Sequence, residues 1–153
     1  MRVFTDGKNR EWELEITVDS ARRIKEQLEF DIVALKDGEA LTNLLNDPVK
    51  IVDTLWLLLE EQANEAGIDS SKFSRGFFGD ALERATDALV SCMIDFFPGK
   101  RRAILQKMWS QAKAIQEREI EAVSKYLDSP QLEKDVEKFL KTRMQGLTSP
   151  PAA

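Results

Sequence analysis

The chain has 153 residues, 42% of them hydrophobic and 32% charged, with 7 Gly, 5 Pro, one Cys, no His and a net charge of −5. That excludes a disordered chain, fits one domain and would crowd two, and the longest apolar run, residues 55–59, is far short of the roughly 20 residues of a membrane span. Without histidine there is no Ser-His-Asp or Cys-His nucleophile and no His-containing zinc or di-iron site, and Cys92 alone builds neither a disulfide framework nor a Cys-rich zinc site.

Residues 3–18 read as a β-hairpin. Val3-Phe4 precedes the turn cluster Asp6-Gly7-Lys8-Asn9, whose Asp-Gly step suits a positive φ. Trp12, Leu14, Ile16 and Val18 then alternate with Glu11, Glu13, Glu15 and Thr17, which gives one apolar face and one glutamate face. A lone hairpin is marginal in water, so that apolar face must lie on helices or on a partner. Asp19 or Ser20 can cap a short helix to about Leu28, with Ala21, Ile24 and Leu28 on one side. Residues 29–37 look irregular, anchored by Phe30, Ile32, Val33 and Leu35, and residues 39–46 suit another short helix carrying Leu41, Leu44 and Leu45.

Asp47-Pro48 is the clearest helix start: Asp caps free backbone N–H groups, and Pro occupies the first helical position, where its missing N–H costs nothing. This helix should run to about Ala66 and stop at Gly67. Its face is Val49, Val52, Leu55, Trp56, Leu59 and Ala63, widened by Ile51, Leu57 and Leu58. A connector anchored by Phe73, Phe77 and Phe78 leads to a helix from Gly79-Asp80, with Leu82, Ala85, Leu89, Cys92, Met93 and Phe96 on one face. Phe97-Pro98-Gly99 breaks it. One long helix follows over residues 100–127, with a full face of Ile104, Leu105, Met108, Trp109, Ala112 and Ile115. Beyond Gln116 the stripe thins to Ile120, Val123, Tyr126 and Leu127. Asp128-Ser129-Pro130 starts a last helix bearing Leu132, Val136, Phe139 and Leu140, which ends near Gly146. The expected fold is mainly α with a small N-terminal β-hairpin (α+β): an irregular helical bundle over residues 1–113, a helical extension over 114–146 and a disordered tail over 147–153.

Charge and chemistry point away from catalysis. Residues 1–66 carry 8 basic and 15 acidic side chains (−7), residues 67–113 carry 8 and 5 (+3), and residues 114–153 carry 6 and 7 (−1). This is not the footprint of a dedicated nucleic-acid binder. Glu60-Glu61, Asp53, Asp87 and Asp95 are acids on apolar helices, but the usual di-metal bundle needs Glu-x-x-His, so pairing with bases such as Arg84 is the expectation. Gly76-Phe77-Phe78-Gly79 matches no phosphate loop, and Cys92 reads as a small buried group. No catalytic residue, cofactor or metal ligand set is expected.

Lys100, Arg101, Arg102, Lys107 and Lys113 form a cationic stretch with no acid between Phe97 and Gln116. Three cations at a helix start oppose the helix dipole, by about 0.3–1 kcal/mol each. The glutamate strand or an acidic protein partner would compensate, and either is favoured over nucleic acid. The expected partner-facing surface is the helix from Lys100-Arg101-Arg102 onward, with Trp109, Ile115, Ile120, Tyr126 and Phe139 supplying apolar contacts.

Several segments together resemble the tail assembly chaperones of long-tailed bacteriophages and prophages, particularly the siphophage type. They are Phe4-Thr5-Asp6-Gly7 with Trp12-Glu13-Leu14-Glu15-Ile16-Thr17-Val18, Arg22-Arg23-Ile24-Lys25 with Phe30-Asp31-Ile32, and Asp47-Pro48-Val49 with Val52-Asp53-Thr54-Leu55-Trp56-Leu57-Leu58 and Glu61-Gln62-Ala63. Phe73, Gly79-Asp80-Ala81-Leu82, Ala85-Thr86, Leu89, Asp95-Phe96-Phe97-Pro98 and Arg101-Arg102 continue the similarity, which spans roughly residues 3–110. The resemblance implies a non-catalytic protein of the host bacterial cytoplasm that coats a tape-measure protein, helps tail-tube subunits assemble around it and leaves before the virion is complete. It implies no catalytic residue and fixes no binding residue. Self-association is compatible with it, and a membrane role is not expected.

Overall fold

The structure, a computed structural model, describes residues 1–33 and 38–148. Strands β1 (Arg2–Thr5) and β2 (Glu11–Leu14) pair antiparallel, with Phe4 opposite Trp12. The helices are α1 (Val18–Leu28), α2 (Gly38–Leu45), α3 (Pro48–Glu65), α4 (Ser70–Ser74), α5 (Gly79–Asp95), α6 (Gly99–Leu127) and α7 (Pro130–Thr148). The fold is thus mainly α with a small β-hairpin. Two compact units divide at Lys107 and Met108, so α6 gives its first two turns to one unit and the rest to the other.

In the first unit the hairpin lays Phe4, Trp12, Leu14 and Ile16 on helices α3 and α5. Phe73, from α4, is fully buried at the centre: its ring lies 5.1 Å from Trp12, 5.3 Å from Trp56 and 4.8 Å from Phe77. Asp47 caps α3 by accepting from the Lys50 N–H, Pro48 is the first helical residue, and Gly67 takes the left-handed conformation after the helix. Leu55, Leu59 and Ala63 of α3 and Ala85, Leu89 and Met93 of α5 supply fully buried positions, as the helical spacing predicts.

Several expectations need correction. The second strand does not reach Val18: it ends at Leu14, and Val18 opens α1, largely exposed. The reason is a capping box, in which Thr17 accepts from the Ser20 N–H and Ser20 accepts from the Thr17 N–H, so Thr17, not Asp19 or Ser20, is the cap. The left-handed turn residue is Asn9 rather than Gly7. Val33, Val49 and Phe78 are exposed rather than anchoring, and Thr54 takes a core position by donating its hydroxyl to the Lys50 carbonyl (2.7 Å). Of the full apolar face expected at the start of the long helix, only Leu105 is buried. Leu35 and residues 149–153 of the expected tail lie outside the described residues, and α7 continues to Thr148.

Candidate partner-binding surface

The first unit is closed by contacts that seal the hairpin. The side-chain amide of Gln62, on α3, accepts from the Glu13 N–H (3.1 Å) and donates to the Glu13 carbonyl (2.7 Å), so it occupies the free edge of β2 as a strand would. At the turn, buried Asp6 accepts from the backbone N–H groups of Lys8 (2.8 Å) and Arg10 (3.0 Å), from Arg10 Nε (2.8 Å) and from Trp12 Nε1 (2.9 Å). Burial alone would push this carboxyl up, but the donors of Trp12, Lys8 and Arg10 outweigh it and hold the group below the usual carboxylate range. The Gly7 N–H donates to the Gly76 carbonyl (2.7 Å), which ties the turn to the α4–α5 connection.

Lys100, Arg101 and Arg102 stand exposed in the first turn of α6, which contains no acidic residue. Arg101 lies 5.9 Å from the Phe97 ring centroid, a cation–π contact that offsets part of the dipole cost. Among the described residues no ion pair joins these three to the glutamates of β2. Asp95 is instead held by Arg2 through Nε (2.7 Å) and Nη2 (3.1 Å), and this pairing keeps Asp95 below the usual carboxylate range and raises Arg2. The internal compensation expected from the glutamate strand is therefore not made among the described residues.

In the second unit every residue of α7 over 130–146 but Leu132 is exposed, and none of these is buried. Ile115, Ile120, Tyr126 and Phe139 are exposed, the last by 61%, and Trp109 is half-buried with Lys113 Nζ 5.6 Å from its ring centroid. Helix α7 does not pack back on α6. The junction is fixed locally: the Tyr126 hydroxyl donates to Asp135, which raises the Tyr126 pKa, Gln131 Nε2 donates to the same carboxylate (3.1 Å), and Ser129 Oγ donates to the Tyr126 carbonyl (2.6 Å). Sequence reasoning missed Met108, Val123, Val136, Leu140 and Met144 as surface residues, because apolar periodicity predicts a stripe but not what covers it.

Among the described residues no three Cys, Asp or Glu converge as metal ligands would. Burial pushes the Cys92 thiol up to about 11, so it is protonated and inert near neutral pH. Two open clefts, of about 230 and 510 Å³, share Gln62 as a wall and are bordered by mixed acids and bases, Glu15 and Arg23 at one, Glu65 and Arg10 at the other. No helix of the described residues is long and apolar enough to cross a membrane. No family model matches the chain, and no curated protein or solved structure is significantly similar to it.

Proposed function

We propose that this chain is a non-catalytic tail assembly chaperone, which binds a tape-measure protein in the host cytoplasm and aids assembly of tail-tube subunits around it. The sequence resemblance over residues 3–110 motivates the reading. The observation that carries it is the apolar surface of residues 108–146: two helices with large exposed apolar side chains and no buried residue. Helices in proteins owe most of their stability to packing an apolar face, so these two are built for a chain that covers them. Their balanced charges, six basic and seven acidic over residues 114–153, keep such a surface soluble and suit a protein partner.

Co-expression with a tape-measure protein tests the reading. The full chain should co-purify with it and raise its soluble yield, whereas a chain ending at Lys107 should lose about tenfold or more of that recovery. Equal recovery with the short chain overturns the assigned surface, and no recovery with either chain overturns the chaperone reading. The exposed cations at Lys100, Arg101 and Arg102 favour one second reading, a helical adaptor or regulator that contacts nucleic acid. A salt-sensitive DNA shift that disappears when all three are changed to Glu would select it.

A further inference from the structure

Helix α7 carries a row that reads the same in both directions, and its charge reverses at the middle of that row. Leu132, Val136, Phe139 and Arg143 follow at intervals of four, three and four, which mirror about a point between Glu137 and Lys138. Such steps make the seam of a packed helix pair, and an ionic residue within a seam fixes register and partner. The charge changes sign at the same point. Residues 130–137 hold Glu133, Asp135 and Glu137 against Lys134 alone, whereas residues 138–148 hold Lys138, Lys141 and Arg143 and no acid. The helix dipole accounts for Glu133 in the first turn but for none of the bases, because none stands in the last turn. Val136 and Phe139 are exposed, as are Glu133 and Arg143, and neither of these two joins an ion pair among the described residues.

We infer that, when no other partner is bound, α7 of one copy of this chain is covered by α7 of a second copy, antiparallel, about a two-fold axis between Glu137 and Lys138. That axis sets Val136 of each helix against Phe139 of the other, and Leu132 against Arg143. Each Arg143 guanidinium then lies beside Glu133 of the other copy, the residue that follows Leu132. Within one helix these two cannot meet, since ten positions, about 15 Å of helix, separate them. The helix pair lies on the axis and forms once per dimer, so it asks nothing of α6. Direction follows from charge: a parallel pair would set acids on acids and bases on bases, and only the antiparallel one joins opposite signs. The inference does not depend on the chaperone reading, because it concerns the protein alone.

Sedimentation equilibrium of the full chain, over a range of concentrations, tests it. The mass of wild type should rise from one chain toward two. Glu133→Arg and Arg143→Glu should each weaken the pair about tenfold or more. Mixing the two variants should restore it, since both contacts between positions 133 and 143 then join opposite charges again. The chain carrying both changes should pair as well. A wild type of single-chain mass at every concentration overturns the inference. So does a mixture of the variants, or a doubly changed chain, that stays monomeric, and so do single variants that pair as well as wild type.

Discussion

Asp6 carries more of the fold than its place in a surface turn suggests. Its side chain is fully shielded, with four donors aimed at two oxygens, so the charge is satisfied without water. In Asp6→Asn the amide would set an NH2 group against the Arg10 and Trp12 donors. The expected cost is about 3 kcal/mol or more, read from urea unfolding at pH 7. The linkage to pH has a definite sign. The folded carboxyl titrates below its unfolded value of about 3.9, so its contribution is complete above that value and is lost as pH falls through the folded one. Wild type should therefore lose stability below about pH 4 more steeply than the Asn variant. An unchanged acid limb would mean that Asp6 is not the group responsible. Asp95 shifts in the same direction, but its pair with Arg2 lies at the surface and contributes little.

At the scale of elements, the α4–α5 connection is pressed against the hairpin turn. A Cβ on Gly76 would come within 2.7 Å of Arg10 Nη2 and 2.9 Å of Asp6 Oδ2, and one on Gly7 within 2.5 Å of the Phe78 ring and 2.9 Å of the Gly76 carbonyl oxygen. Gly76→Ala should thus push apart the Asp6 cluster and cost about 1–3 kcal/mol, with a matching drop in melting temperature. A variant as stable as wild type would show that the turn has room to move. Helices α3 and α5 were legible in the sequence because their signals are local: Asp47-Pro48 and Gly67 bound one, and steps of three and four mark the face of the other. The end of β2 was misread because alternation continues to Val18 while the Thr17–Ser20 capping box prevails over it. The Asp6 cluster and the Gln62 contact were not legible at all, since each joins groups that no sequence periodicity relates. The exposed apolar stripe was legible as a thinning of the helical face. How early its exposure begins was not, because Ile104 and Met108 have the spacing of core residues and lie exposed.

Over the whole molecule, stability and surface are allotted to different stretches of chain. Among the described residues, those with little or no exposure lie before Met108, and α6 and α7 make no extensive contact with each other after it. A chain ending at Lys107 should accordingly keep its cooperative melting transition to within a few degrees and its near-ultraviolet tryptophan signal from Trp12 and Trp56, while losing most of the helical signal of α6 and α7. A short chain without a melting transition would place the long helix in the fold's core after all. The hairpin has one more consequence, which concerns the order in which the chain is made. Its fastenings are Gln62, Gly76, Arg84, which donates to the Thr5 carbonyl, and Asp95, paired with Arg2 across 93 positions. A ribosome releases Val3 and Phe4 well before those partners, so β1 can pair with β2 early but is secured on the helices only once α5 has followed it out.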